Sequence, residues 1–97
     1  MARLRFAARA GRSLRAHDDH LRARNPQAAD RLLSEVERVA ALLSENPFMG
    51  PRVASGRVSR CFVTRRYRYR IIDRAGEDEV VILDILHPRQ NPPEDLP

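Results

Sequence analysis

Apolar positions along this chain change their period twice. At the start they alternate: Ala2, Leu4 and Phe6 are separated by Arg3 and Arg5, which is the two-residue repeat of a strand with one buried face. From Ala7 to Arg24 the positions Ala10, Leu14, His17 and Leu21 fall at spacings of four, three and four. That spacing predicts a helix with a narrow inward stripe. Proline disfavours helical geometry in the residue before it, so Asn25-Pro26 ends this helix. The same pair starts a second one, with Asn25 as its cap and Pro26 in its first turn. Between Pro26 and Glu45, Ala29, Leu32, Leu33, Val36, Val39, Ala40 and Leu43 make one apolar face. Asp30, Arg31, Glu35, Glu37 and Arg38 lie mostly on the other side, and Asn46-Pro47 stops the helix. Two helices joined by so tight a turn predict an antiparallel hairpin.

The two-residue period returns in the second half. Pro47 to Pro51 reads as a loop, and Arg57–Val63, Arg65–Asp73 and Val80–Leu86 as strands, the last two joined by a turn at Arg74–Asp78. Pro88 cannot donate a ladder hydrogen bond and stops pairing after His87. The expected fold class is therefore α+β, in the order β-α-α-β-β-β. A curved, largely antiparallel sheet carries the helical hairpin on one face. Residues 1–90 form one domain, because a chain this short supports a single core, and 91–97 form a flexible tail.

Strand parity assigns faces. Tyr67, Tyr69, Ile71, Val81, Leu83 and Ile85 turn toward the helices. Arg66, Arg68 and Arg70 line the opposite side. A turn centred near Gly76 sets Arg70 across from Ile82 and Arg68 across from Asp84. Parity also puts His87 on the face away from Arg68.

Charge sharpens this picture. The chain of 97 residues has a net charge of +5, and all 18 of its basic residues are arginine. Seven of them fall between Arg57 and Arg74, against the single acid Asp73. Such a surface suits an acidic partner or phosphates, and arginine grips either in bidentate fashion. No run approaches the roughly 18 apolar residues of a membrane span. No apolar segment follows the basic N-terminus as a secretory signal requires. One cysteine, Cys61, excludes an internal disulfide framework. Cytoplasmic location follows as the expectation, with no membrane partner. His17 and His20 stand three apart without a third ligand, so neither metal nor cofactor is implied. Arg60 beside Cys61 is placed to lower its thiol pKa, but the cysteine reads as a strand residue.

From about Leu4 to Gln90 the chain resembles the RelE/ParE superfamily of type II toxin–antitoxin toxins. The helical hairpin, the loop Asn46-Pro47-Phe48-Met49-Gly50, the strand Tyr67-Arg68-Tyr69-Arg70-Ile71-Ile72 and the terminal run Val81 to Gln90 carry the resemblance. It implies a growth-inhibiting toxin neutralised by an acidic antitoxin, in a heterodimer or heterotetramer. It also implies two alternative targets. The ParE-like branch poisons DNA gyrase, and the RelE-like branch cuts mRNA on the ribosome. In the second branch Arg68 matches a phosphate-stabilising arginine, and His87 falls near the late catalytic position. The chain lacks lysine altogether, a glutamate between Asn46 and Glu77, and a tyrosine after Tyr69. A nuclease needs a base as well as a charge clamp, and only the clamp stands out. The sequence therefore favours the ParE-like, non-enzymatic reading over the ribonuclease. A non-toxic antitoxin- or DNA-binding module is the third alternative. The arginines expected to meet a partner are Arg60, Arg66, Arg68, Arg70 and Arg89.

Overall fold

The computed structural model describes residues 2–49, 59–76 and 78–91. Within them the elements run β1 (Arg3–Phe6), α1 (Ala8–Arg24), α2 (Pro26–Glu45), β2 (Arg60–Val63), β3 (Arg70–Ala75) and β4 (Glu79–Leu86). The four strands form one sheet in the order β1-β4-β3-β2. β2, β3 and β4 pair antiparallel, as expected, while β1 joins β4 in parallel, so the sheet is mixed. The last strand to be made is thus a central one.

α2 is the frame of the core. Pro26 occupies its first turn, and the Asn25 side chain accepts a hydrogen bond from the Ala28 N–H at 3.2 Å, a cap that satisfies one of the free donors of the helix start. Ala29, Leu32, Val36, Val39, Ala40 and Leu43 are buried together with Tyr69 and Ile71 of the segment leading into and through β3 and Val80, Ile82 and Ile85 of β4. Leu33 is only half-buried. α1 is held more lightly. Only Ala10 is fully buried, and Leu14 and Leu21 pack partly against the core, the stripe that their spacing predicted. Both the Ala2 N–H and the Ala2 carbonyl bond to Ser44, which fastens β1 to the end of α2.

β1 pairs with β4 only as far as Phe6 opposite Ile82. Beyond that point α1 covers the strand edge. The Ala7 N–H bonds to the Ile82 carbonyl, Ser13 Oγ donates to Asp84, and His17 Nε2 meets the Ile85 carbonyl at 2.8 Å. Backbone groups that would stand bare on a sheet edge are thereby satisfied by a helix.

Two sequence expectations need correction here. The third strand does not begin at Arg65. Thr64 clasps Tyr69 twice, through its N–H to the Tyr69 carbonyl and through Oγ1 to the Tyr69 N–H, and the chain between them turns. Arg65 to Tyr67 form that turn and Arg68 takes a left-handed φ of 61°, so pairing starts at Arg70 and runs on to Ala75. The register differs as well. Arg70 faces Leu86 and Ile72 faces Asp84, and a bulge between Ile72 and Asp73 leaves Leu83 as the extra residue on β4. A bulge changes the phase of every side chain beyond it. Val80 and Ile82 therefore enter the helix-side core in place of Val81 and Leu83, whereas Tyr69, Ile71 and Ile85 lie where parity put them. Leu83 packs on the opposite face with Cys61, Ile72 and Leu86. Positions 57 and 58 of the expected second strand, 50 and 51 of the loop, and 92–97 of the tail lie outside the described residues.

Candidate functional site

The expected arginine face is dispersed by the turn between β2 and β3. Arg70, at the head of β3, and Arg68, in the turn before it, line a shallow hollow with Val63 and Pro88. Arg70 donates through Nη2 to the Gln90 carbonyl, and its Nε is buried without a partner. Arg68 is exposed and held in backbone geometry that side-chain-bearing residues rarely adopt. Such strain gathers where a fixed surrounding structure enforces it, often at functional sites. Val63 stays exposed beside them on the edge strand β2. Arg89 stands exposed in the turn that follows Pro88.

The other two expected arginines sit elsewhere. Arg66 leans toward α2 and shares a second hollow with Arg31, Ser34, Glu35 and Arg38. Arg60 pairs across the strands with Asp73 and lays its guanidinium 5.6 Å above the exposed Phe48 ring. Asp84 does not face the arginines. It is buried, accepts from Ser13 and from the Ile85 N–H, and so anchors α1 to β4.

His87 belongs to the helix side. Its ring meets the edge of Tyr69 at a centroid distance of 5.5 Å, and His17 meets the same tyrosine at 5.0 Å. A tight turn fixes it further. The Gln90 N–H donates to the His87 carbonyl, the Gln90 side chain accepts from the His87 N–H, and His87 Nδ1 accepts from the Arg89 N–H. Desolvation, then the neighbouring His17, Arg89 and His20, push its pKa below the ordinary histidine value. His87 directly precedes Pro88, which lines the Arg68–Arg70 hollow, and Gln90 bonds both to Arg70 and to His87.

One acid of the sheet and the cysteine complete the electrostatics. Asp73 is fully buried and neither carboxylate oxygen has a hydrogen-bond partner. Burial pushes its pKa up to about 7, against the pull of Arg60. The Cys61 thiol is also raised, by burial, and the arginine that offsets this is Arg70 rather than the adjacent Arg60. That environment makes a poor thiolate. Sequence reasoning missed the second hollow, because α2 and the β2–β3 turn meet only in three dimensions. It also missed what His17 does, although its place on the α1 stripe had pointed it inward.

Among the described residues no helix is long and apolar enough to cross a membrane. Among curated proteins, no sequence matches the chain. Solved structures that share its fold include two toxin–antitoxin assemblies. One, described as the chromosomal ParDE TA system from P. aeruginosa, is 20% identical with a TM-score of 0.76, over 90% of this chain and 96% of that one. The other, the toxin–antitoxin complex RelBE2 from Mycobacterium tuberculosis, is 26% identical with a TM-score of 0.63, over 89% of this chain and 96% of that one. The profile of the family described as the ParE toxin of the type II toxin-antitoxin system, parDE, matches residues 4–92. With the profile spanning nearly the whole fold, the chain belongs to the ParE toxin family.

Proposed function

We propose that this toxin acts without cutting RNA, as an inhibitor of DNA gyrase, and that a cognate acidic antitoxin neutralises it. One observation carries the reading. The only late histidine, His87, is set against Tyr69 and held in its own turn, where its Nδ1 accepts from the Arg89 N–H. Cleavage at a ribose 2′-hydroxyl needs a base and a phosphate clamp within reach of one bond. Here the Nδ1 lone pair of His87 is already taken by the Arg89 N–H, which supports a reading without cleavage.

The hollow of Arg68, Arg70, Val63 and Pro88, flanked by Arg89, is the surface assigned to the antitoxin. Arginines beside an exposed aliphatic group and a proline suit a peptide that alternates acidic and apolar residues.

The purified chain tested in parallel on gyrase supercoiling and on translating ribosomes decides the matter. Inhibited supercoiling with intact mRNA is expected. Codon-linked mRNA cleavage that His87→Ala and Arg68→Ala abolish would establish the ribonuclease instead. A chain that neither inhibits growth nor affects either assay would leave the non-toxic binding module as the correct description.

A further inference from the structure

The second hollow supports a binding site independent of the gyrase reading. Arg31, Ser34 and Arg38 recur at i, i+3 and i+7 on α2, which places them along one exposed helix face. Arg66 reaches the same hollow from the turn that Thr64 clasps shut. Arg38 is paired with Glu35 at 3.1 Å, whereas Arg31 and Arg66 have no ion pair among the described residues. Among the described residues, three guanidiniums, one hydroxyl and one already paired carboxylate thus surround this concave patch.

We infer that this hollow holds the phosphodiester backbone of a nucleic acid. The charge of the lining decides between ligand classes: the described residues bring three guanidiniums and one carboxylate that is already paired. Protein interfaces are organised around buried aromatic or aliphatic anchors, and none of the described lining residues is one. Protein–nucleic-acid interfaces are more polar and far more positive, and most of their hydrogen bonds go to phosphate and sugar from arginine, serine and similar side chains. Two unpaired guanidiniums on separate elements, with a hydroxyl between them, match that chemistry. The contact reads no sequence, because it touches backbone oxygens only.

The test uses the full chain and labelled duplexes of about 20 base pairs, long enough to span several phosphate contacts, one of DNA and one of RNA with the same sequence. Anisotropy titrations are run over a series of salt concentrations. Losing two phosphate contacts lowers the slope of log K against log salt by roughly 1.8. Arg31→Ala/Arg66→Ala is expected to show that drop and to bind about tenfold more weakly at moderate salt. Arg31→Lys/Arg66→Lys is expected to retain binding. Arg12→Ala/Arg15→Ala removes the same charge from the exposed face of α1 and is the control for net charge. Circular dichroism melts confirm that all variants fold. Equal loss on both duplexes supports the phosphodiester as the shared contact, and loss on one alone supports it while naming the natural acid. The inference is overturned if wild type binds neither duplex, if the α1 control loses as much, or if Arg31→Ala/Arg66→Ala binds as wild type does. It is also overturned if that variant keeps duplex binding and loses an aspartate- and glutamate-rich peptide instead.

Discussion

The two arginine hollows hold similar charge and are built in opposite ways. The hollow at Arg68 and Arg70 stands on irregular backbone, a turn and a left-handed residue, with an unsatisfied Nε and, three residues further along β3, a buried carboxylate without hydrogen-bond partners. Aliphatic groups line it. The hollow at Arg31, Arg38 and Arg66 stands mostly on one regular helix, and the described residues that line it are charged or carry a hydroxyl. The difference teaches that arginine density alone does not name a ligand. What stands between the arginines does, and the scaffold beneath them tells how much stability was given up to place them.

The largest expected effect tests the ligand half of that contrast. Replacing Arg68 and Arg70 by alanine removes two charge-assisted contacts, each worth about 1.5–3 kcal/mol. Antitoxin affinity measured by calorimetry should fall by at least about a hundredfold. Arg31→Ala/Arg66→Ala should leave it within roughly twofold, since exposed pairs and rim charges contribute little. Equal losses from both pairs would erase the distinction between the hollows.

Next comes Asp73. Its folded pKa of about 7 lies above the ordinary carboxylate value, so the native state holds the proton more tightly than the unfolded chain. Stability should therefore decline as pH rises from about 4 to about 7 and then level off. Asp73→Asn should stabilise the protein by about 3 kcal/mol at pH 8 and by little near pH 4, as read from urea melts at the two pH values. A flat difference across pH would show that the carboxylate finds a partner in solution.

Arg68→Gly is a smaller probe of the same scaffold. Glycine accepts the left-handed φ without steric cost but loses more chain entropy, so stability should rise by no more than about 1 kcal/mol while antitoxin binding weakens. A marked loss of stability would mean that the Arg68 side chain supports the turn. The smallest effect belongs to the regular hollow. Glu35→Gln should change stability by less than about 0.5 kcal/mol and tighten duplex binding a few-fold, because one repelling charge is gone. His87 supplies an opposite pH limb to Asp73. Its folded pKa lies below the ordinary value, so its contribution is present above that value and is lost as pH falls through the folded pKa. His87→Gln should remove that acid limb from the stability profile.

Helix boundaries were legible because their signals are local. Asn25-Pro26 marks one end and the next beginning by backbone sterics and capping alone, and the α2 face repeats at a clean helical period. The strand β3 was misjudged for an equally physical reason. Arg65 to Tyr69 alternates like a strand, but the Thr64 side chain offers the backbone a competing hydrogen bond and a turn wins. The bulge at Leu83 left no trace in composition, so the faces of β4 were assigned half correctly. The Arg68–Arg70 pair could be read from sequence as neighbours on one face. The departure of Arg66 to α2 could not, because it follows from that same turn. His87 shows another case, in which parity turned it toward the helix side and its ring meets the core residue Tyr69.

One architectural fact bears on how the protein comes into being. β4 lies between β1 and β3, with α1 sealing the rest of its edge, yet it is the final strand in chain order. A growing polypeptide can complete the helical hairpin early, but β1 has no neighbour and the core no floor until Glu79–Leu86 has left the ribosome. Pairing between such distant segments is slow to form. Assembly of the sheet is therefore withheld until β4 has been made, and neither the Arg68–Arg70 surface nor the His87 turn takes shape before it. For a ParE-family toxin, that order keeps the folded surface from forming on the first half of the chain alone.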